Sequence, residues 1–304
     1  MKLFAYLYLI IFFLFSCQES KQQNNVTTAS VASNEFILPE IPSNLSSTQD
    51  KNTYLLMHYW DHFDFNNEQL IDNSDVSEQA FVDFIDLFKQ NNEEVVNDAI
   101  HHLLSEAEKK PSTFTYFKEL FTNYLYNPNS PMRNEVHYEA VLAYLIDSES
   151  TSEEERIKSS IILSLITKNK VGTQATPFNF TLSSGQLKEL SSVNTPYTML
   201  FFYEPGCSSC EHSISQMKDQ PLLNNLIAQQ ELTILAIYTL GDQKAWKEYQ
   251  TNIPSNWVNG NNGDQIHKNQ LYDLKASPTM YLLDNQKRVI LKDCYLPEIL
   301  NYLQ

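Results

Sequence analysis

The sequence predicts an all-helical N-terminal domain followed by an α/β domain, in a chain of 304 residues. All six glycines lie after position 171, although average usage of about 7% would place roughly a dozen glycines in the earlier part of the chain. Apolar residues three and four apart dominate the glycine-free part, whereas short β-rich runs that alternate with helical segments follow it. We therefore place the helical domain at 49–170 and the α/β domain at 171–304.

Amphipathic segments make up the predicted helical domain, and each repeats apolar residues at helical spacing. In chain order they are EQAFVDFIDLFKQ, EEVVNDAIHHLLSEAEKK, STFTYFKELFTNYLY, NEVHYEAVLAYLID and SEEERIKSSIILSLITKNK. Pro128 and Pro131 separate the third segment from the fourth, because proline breaks a helix. The last segment begins with acidic residues and ends with lysines, which complements the helix dipole at both ends.

The predicted α/β domain opens with a hairpin-like pair of strands, PFNFTL and QLKELSS. YTMLFFY and LTILAIYTL are predicted buried strands, because their apolar residues run almost without interruption. The helical segments CSSCEHSISQMKDQ and QKAWKEYQ follow them, and TMYLLD with RVILKDC forms a closing hairpin before a final helix, LPEILNYL. This order predicts a sheet of four or five strands with a parallel component and an antiparallel edge.

The first 17 residues have the layout of a signal peptide. Lys2 precedes an apolar run from Leu3 to Phe15 that is too short for a comfortable membrane span. The ending LFSC resembles a bacterial lipobox, which implies that Cys17 is acylated and becomes the first residue of the mature chain, although Phe15 replaces the small residue usually found there. A plain signal peptide cleaved elsewhere and an uncleaved anchor are the alternatives.

Export would place the chain in the cell envelope, facing the periplasm or the cell exterior, where thiols tend to oxidise. Residues 18–48 are rich in Gln, Asn, Ser and Thr and predict a flexible tether. A coil of about 30 residues spans roughly 30 Å, enough to lift a domain off a membrane surface. The 37 acidic side chains against 21 Lys and Arg argue against nucleic acid and anionic lipid headgroups as partners.

Two cysteines three residues apart, Cys207 and Cys210, lie between a predicted strand and a predicted helix in FFYEPGCSSCEHS. The unpaired amides and partial positive charge of a helix N-terminus favour the thiolate of Cys207. Cys210 lies about one turn further on, close enough to form a disulfide with Cys207 and to release a substrate held as a mixed disulfide. The pattern therefore predicts that Cys207 attacks and Cys210 resolves. The remaining cysteine, Cys294, is interpreted as a small buried residue, with a reactive or pairing role as the alternative.

Three stretches together carry a resemblance: VGTQATPFNF, FFYEPGCSSC and ASPTMYLLD. They resemble the opening, the active-site strand and helix, and the cis-proline segment of exported thioredoxin-like domains of the TlpA and ResA type, which are thiol–disulfide oxidoreductases. The resemblance implies a thioredoxin-like fold for 171–304, a cis-proline at Pro278, and a substrate chain received by the backbone of Ser277. It favours a reductant, which needs an electron-donor thiol protein across the membrane. The helical stretch is similar to the helical domain that precedes thioredoxin-like domains in lipoproteins of Bacteroidota.

The sequence departs from this family at three positions. Phe201 lies six residues before Cys207, where thioredoxin keeps a buried carboxylate as a proton relay, so no general base is assigned. Glu204 could serve as a base if it turned inward, but a solvated turn residue is the alternative. Gly206 replaces the usual bulky residue and would leave Cys207 more open.

Metal and haem sites are poor alternatives for the cysteine pair. A structural zinc site needs four ligands, and only His212 lies nearby. Covalent haem requires a histidine after the second cysteine, where Glu211 stands, and a peroxiredoxin would place Thr or Ser at Glu204. His58 and His62 have a spacing that could bind metal, but without a further ligand we interpret them as packing at a helix surface. We therefore expect no metal and no other cofactor.

Two functions of different class stay open at this point. The first is an exported, lipid-anchored thiol–disulfide oxidoreductase that acts on a protein or small-molecule disulfide and receives electrons from a thiol protein. The second is a lipid-anchored binding protein whose thioredoxin-like domain is a redox-inert scaffold. Fold alone does not separate them.

Overall fold

A helical region precedes a mixed β-sheet with helices on both faces in the computed structural model, which describes residues 35–304. This confirms the predicted fold class. The helices of the first region are α1 Thr48–Met57, α2 Glu68–Ile71, α3 Ser74–Asp86, α4 Glu93–Ala107, α5 Pro111–Phe121, α6 Glu135–Asp147 and α7 Glu153–Ile166. A 3-10 turn over Leu87–Gln90 extends α3, and a π-turn over Thr122–Tyr126 extends α5.

Polar residues fix the starts of several helices. Side chains that precede α1, α4, α6 and α7 accept a hydrogen bond from a backbone N–H of the first turn, and they are Ser47, Asn92, Asn134 and Ser152. Such caps satisfy backbone groups that have no partner inside the helix. Pro111 occupies the first turn of α5, where its missing N–H is not needed.

Aromatic side chains fill the core of the helical region. Phe84 and Phe117 are fully buried, and Trp60 packs edge-on against them at centroid distances of 5.7 and 5.1 Å. Edge-on contact is a geometry that aromatic pairs prefer. The periodic apolar positions of α3 and α5 therefore meet in one core, as their spacing predicts.

The segment 35–47 leads into α1 and contacts this core. Phe36 stacks on Tyr59 with ring centroids 5.0 Å apart, although the sequence places it within the predicted tether of 18–48. The difference has a physical reason, because Phe36 is partly buried and removing apolar surface from water is favourable by roughly 25 cal/mol per Å². Phe36 therefore packs against the helical region, although its position lies within the predicted tether.

Several predictions concern residues before this segment. The signal peptide at 1–17, the lipid attachment at Cys17 and the tether residues 18–34 all lie outside the described residues. Within 35–304, no helix is both long enough and apolar enough to cross a membrane.

The second region contains a sheet whose strands are β1 Asn179–Leu182, β2 Leu187–Glu189, β3 Tyr197–Tyr203, β4 Leu232–Tyr238, β5 Val258–Asn261, β6 Thr279–Leu283 and β7 Val289–Leu291. Its helices are α8 Ser208–Lys218, α9 Pro221–Ala228, α10 Gln243–Tyr249, α11 Gln265–Lys268 and α12 Leu296–Leu303. The strand order is β2-β1-β5-β4-β3-β6-β7. The β3 strand pairs in parallel with β4 and antiparallel with β6, which places the start of α8 beside the start of β6.

The sheet in the described residues has seven strands, where the sequence predicts four or five. Two features explain the difference. The opening hairpin joins the same sheet through β5 instead of lying apart from it. The β5 strand itself reads VNGN and has one apolar residue, so no pattern of hydrophobicity identifies it. Gly260 of this strand is required by close packing, because a Cβ there would overlap the ring of Phe180.

Successive residues of the strands point to opposite faces of the sheet, and each face has its own core. On one face, Ile214 of α8, Trp246 of α10 and Ile299 of α12 pack against the strands. On the other face, Ile266 of α11 and Tyr272 do so. The helical region packs against this domain to form one compact unit over 35–304.

Candidate active site

Cys207 is the N-cap residue of α8 and follows β3 after a short turn. Its Sγ accepts a hydrogen bond from the backbone N–H of Cys210 at 3.1 Å. The two sulfurs are in disulfide contact, and the Cα atoms are 5.2 Å apart. The helix start therefore brings the pair together and directs a backbone amide at the first sulfur, where it would stabilise a thiolate.

The two cysteines differ in exposure. Cys207 is half-buried, whereas Cys210 is fully buried beneath α8. Gly206, just before the pair, is exposed and has a φ of +80°, a left-handed conformation that favours glycine. No atom lies within 4 Å of the position that a Cβ at Gly206 would occupy. Only Cys207 is therefore approachable from solvent, and its side next to Gly206 is open.

The segment before β6 lies against the first sulfur. The peptide bond between Ser277 and Pro278 is cis, and the carbonyl oxygen of Ser277 lies 3.4 Å from Sγ of Cys207. Within residues 35–304, no hydrogen bond engages the backbone N–H of Ser277. The N–H of the residue whose carbonyl lies beside the sulfur is thus free to pair with an extended chain, which is how a strand is added to a sheet edge.

Glu204 takes a position that the sequence does not predict. Its carboxylate accepts a hydrogen bond of 2.8 Å from the hydroxyl of Ser277. It is therefore not a free turn residue, because its carboxylate is engaged by Ser277. It ties the turn before α8 to the cis-proline segment, which lies 73 residues further along the chain.

An aromatic residue, Phe201, lies six residues before Cys207, where the sequence resemblance leads us to compare it with the buried carboxylate of thioredoxin. Phe201 is fully buried, stacks parallel to Tyr203 with ring centroids 5.9 Å apart, and meets Trp257 edge-on at 6.2 Å. It shares one apolar core with Cys210. A buried proton relay at this position is therefore absent, in line with the sequence.

Cys294 is buried and separate from the pair. Its Sγ lies 3.6 Å from the carbonyl oxygen of Met280. Burial, with a smaller contribution from the carboxylates of Glu298 and Asp293, raises the pKa of the Cys294 thiol to about 12. The thiol is therefore protonated at neutral pH, which agrees with the interpretation of a small buried residue.

The candidate histidines His58, His62 and His212 are not placed together as a metal site. His212 is exposed on α8, and α1 ends at Met57, so His58 and His62 do not share a helical turn. His58 instead contacts Asp61 at 2.8 Å. Among residues 35–304, no group of three or more His, Cys, Asp or Glu side chains is placed to hold a metal ion.

A cleft of about 550 Å³ adjoins the cysteine pair. The exposed face of α8 forms one wall, and the cis-proline segment with the start of α12 forms another. The third wall comes from the helical region, through Pro128, Asn129 and Arg133 in the loop between α5 and α6. The volume is in the range of ordinary ligand sites.

Arg133 holds this loop against the thioredoxin-like region. Its guanidinium donates a hydrogen bond to the carbonyl oxygen of Asp293 and lies 3.3 Å from the carboxylate of the same residue. The guanidinium also lies over the ring of Tyr295, 5.3 Å from its centroid. The Tyr295 hydroxyl in turn donates to the carbonyl oxygen of Pro128 at 2.7 Å. The third wall is therefore fixed by polar contacts on both of its ends.

A buried charge network continues from this contact. Lys275 contacts Glu135 of α6 and lies 3.2 Å from the carboxylates of both Asp273 and Asp293. Lys292 binds the other oxygen of Glu135 at 2.7 Å. The Lys275 side chain is only 6% exposed. Sequence reasoning missed this network, because its members are ordinary charged residues and the Glu135 and Lys275 positions are 140 residues apart.

The charged groups of the network shift one another's pKa values. Burial alone would raise the pKa of Glu135, but Lys275 and Lys292 outweigh it and hold this pKa below its usual range. At Asp273 burial prevails, and the pKa is raised. Burial would lower the pKa of Lys275, but the neighbouring carboxylates, with Glu135 first, raise it. Glu135 and Lys275 therefore stay charged together at neutral pH.

Comparison with known proteins places the chain in a family. A family model for a domain of unknown function, DUF5106, matches residues 16–169, which are 154 of the 304 residues. A thioredoxin-like protein from Bacteroides caccae is 36% identical in sequence. Its structure matches with a TM-score of 0.80 over 88% of this chain and 97% of that chain. The chain belongs to the DUF5106 family, and its second half is thioredoxin-like.

Other solved structures match the DUF5106 protein over less than half of its length. The C-terminal domain of an uncharacterised protein from Bacteroides fragilis is 38% identical, covering 45% of this chain and 99% of that chain with a TM-score of 0.44. The thioredoxin domain of a thiol–disulfide oxidoreductase from Bacteroides vulgatus is 19% identical, covering 44% and 95% with a TM-score of 0.39. No curated protein matches by sequence. The match to the Bacteroides caccae protein confirms the thioredoxin-like family and fold that the motifs predict.

Proposed function

We propose that this chain is a thiol–disulfide oxidoreductase of the cell envelope, in which Cys207 attacks and Cys210 resolves. One observation carries the proposal. A half-buried cysteine at a helix N-terminus is in disulfide contact with a fully buried one, and the Ser277 carbonyl oxygen lies 3.4 Å from the first sulfur. This arrangement exposes the Cys207 sulfur to a partner and keeps the Cys210 sulfur buried for the second step. It also places the backbone of Ser277 beside the reacting atoms.

The reaction follows from these positions. In the reduced protein, the Cys207 thiolate attacks one sulfur of a substrate disulfide, so that a mixed disulfide forms and the other substrate sulfur leaves as a thiolate. The Cys210 thiolate then attacks Cys207, which forms the intramolecular disulfide and releases the second substrate sulfur. Two electrons pass to the substrate, and the released thiolates take up protons from solvent. The backbone of Ser277 holds the substrate chain during both steps.

The direction we propose is reduction, on the strength of the resemblance to the TlpA and ResA group. The oxidised pair then needs an electron-donor dithiol, which attacks the disulfide between Cys207 and Cys210 and becomes oxidised in turn. In an exported protein that donor obtains its electrons across the membrane. The substrate is a protein or a small molecule that contains a disulfide.

The location belongs to the same proposal. The apolar run from Leu3 to Phe15 and the lipobox-like ending support export and a lipid anchor at Cys17. An anchored chain would act at the membrane surface and face the periplasm or the exterior. That placement brings the cysteine pair within reach of a donor at the membrane.

Turnover of insulin, a protein with accessible disulfides, tests the activity. Wild-type protein should reduce it with a dithiol donor, Cys207→Ser should neither turn over nor react with alkylating reagents at this site, and Cys210→Ser should accumulate a mixed disulfide without turnover. These two variants control for each other, because both remove one sulfur of the pair. Turnover by Cys207→Ser, or trapping at Cys210 instead of Cys207, would contradict the assigned roles.

A binding protein with an inert disulfide is the second candidate. The observation in its favour is the fully buried Phe201 at the position of a proton relay. Under this alternative, wild-type protein would leave both insulin and small disulfides unchanged, and the pair would resist a large excess of dithiol. The same assay therefore separates the two functions.

A further inference from the structure

The cleft beside the cysteine pair follows the axis of α8. It runs along the exposed face of α8 from Ser208, next to Cys207, to Gln216. At 1.5 Å per residue this stretch of helix is about 12 Å long. An extended chain advances about 3.3 Å per residue, so the wall matches three to four residues of such a chain.

The lining of the cleft offers little charge to a ligand. Arg133 and Asp293 face it, but they are paired with each other, and each side chain is only 14% exposed. The other contributions of the loop and of α12 are uncharged, namely Pro128, Asn129, Leu296 and Pro297. Within residues 35–304, no Lys or Arg side chain that lines the cleft is left unpaired, and the remaining ionisable side chain of the lining is the imidazole of His212. This lining therefore suits an uncharged peptide segment better than a small disulfide that carries carboxylates.

The third wall is held in place before anything binds. Arg133 joins the loop to the backbone of Asp293, and the hydroxyl of Tyr295 is bonded to Pro128 at 2.7 Å. Tyr295 is 52% exposed, so its ring offers apolar surface to a bound chain. A wall that is already ordered loses little entropy when a chain binds, which favours affinity.

We propose that this cleft binds three to four uncharged residues of an extended polypeptide on one side of the substrate cysteine, with the DUF5106 region as its outer wall. The inference rests on the proposed function and narrows it, because it assigns protein disulfides, not small ones, as the substrates. The free backbone N–H of Ser277 fixes the substrate cysteine, and the cleft receives the residues beside it. The helical region thereby becomes part of the substrate site without contacting the sulfurs.

The test uses reduced purified protein and three probes in single turnover. Each probe is a cysteine in mixed disulfide with thionitrobenzoate: N-acetylcysteine amide alone, and the same cysteine with four Ala, Ser or Tyr residues either before or after it. Attack by Cys207 on the cysteine sulfur releases the coloured thionitrobenzoate and forms the peptide mixed disulfide, so no electron donor is needed. One of the two extended probes should react about tenfold faster than the short one, equal to 1.4 kcal/mol.

A bulky side chain in the cleft should remove the faster reaction of the extended probe and leave the reaction of the short probe unchanged. Asn129→Trp places a bulky side chain on the outer wall, and Gln216→Trp does so at the far end of α8, in a second and independent position. Both should react with the short probe at the wild-type rate and lose the gain for the extended probe. Asn97→Trp is the matched control, because Asn97 is exposed on α4 and does not line the cleft.

The outcomes are distinct. Equal rates for the short and extended probes in wild-type protein, or a gain that persists in both Trp variants, would overturn the inference and leave the proposed function standing. Equal slowing of every probe in the Trp variants would also overturn it, since the wall would then affect the sulfur and not the chain. Failure of wild-type protein to release thionitrobenzoate from any probe would refute the proposed function, and the inference with it.

Discussion

Replacing Lys275 with Met tests the network that joins the helical region to the segment before the cis-proline. Lys275 contacts Glu135 and lies 3.2 Å from the carboxylates of Asp273 and Asp293, with a side chain only 6% exposed. Methionine has a similar length and no charge. The substitution therefore leaves buried carboxylates without their shared partner, while it keeps most of the packing.

The expected loss of stability is large. Removing one partner from a buried ion pair costs about 3–5 kcal/mol, because the remaining charge stays buried and uncompensated. An exposed pair contributes about 0–1 kcal/mol. Lys89 and Asp86 form such a pair, with an N–O distance of 2.6 Å and a Lys89 side chain that is 75% exposed. Lys89→Met is thus the control for an exposed pair, whereas Lys275 is buried among three carboxylates.

Urea unfolding, followed by circular dichroism and fluorescence, measures both losses at pH 7. The pH dependence gives a second readout. Because its pKa is raised on folding, Lys275 stabilises the fold fully below its unfolded pKa of about 10.4, and this contribution is lost as the pH rises through the folded value. The pKa of Glu135 is lowered, so its contribution is present above its unfolded pKa and is lost as the pH falls through its folded value. The difference between wild type and Lys275→Met should be greatest between these limits.

A Lys275→Met protein within about 1 kcal/mol of wild type at pH 7 would refute the reasoning. The network would then behave as a solvated surface cluster. A loss of the same size in Lys89→Met would also contradict it, because burial would then not be the cause.

Other predictions concern single positions. Cys294 should resist alkylation in the folded protein at pH 8, because burial raises its pKa to about 12, and mass spectrometry should find it labelled only after denaturation; labelling in the native state would contradict this. Gly260→Ala should lose about 1–3 kcal/mol in urea unfolding, since the new Cβ would overlap the buried ring of Phe180, and unchanged stability would show that the ring moves freely. Cys17→Ala should abolish lipid labelling and release the protein from membranes, because an acyl anchor contributes about 0.8 kcal/mol per buried CH₂; an unchanged membrane fraction would count against the anchor.

The cysteine pair could be predicted from sequence because its cause is local. A buried strand, a glycine turn and a helix start follow one another within a few residues, and they fix Cys207 and Cys210 without help from the rest of the chain. The place of Ser277 and Pro278 followed from the family resemblance and not from periodicity. The structure adds the contact with Glu204, which depends on the pairing of β3 with β6 and leaves no local mark in the sequence.

The outer wall of the cleft could not be predicted for a different reason. Pro128 and Pro131 predict a loop between two helices, but no pattern in the chain indicates which residues that loop contacts. Arg133 and Asp293 are an ordinary pair of opposite charges among many. Only the packing of the helical region against the sheet shows which of them meet.

The cis-proline segment links the two halves of the molecule. Lys275 and Ser277 flank Ala276, and each is held by a carboxylate from a different part of the chain: Glu135 of α6 holds Lys275, and Glu204 before α8 holds Ser277. The segment that carries the Ser277 carbonyl beside the sulfur is thus held by a contact from each part of the chain. Without the helical region, the first of these anchors would be lost and Lys275 would remain beside the two aspartates. The DUF5106 region thus supports the geometry of the cysteine site, in addition to forming the outer wall of its cleft.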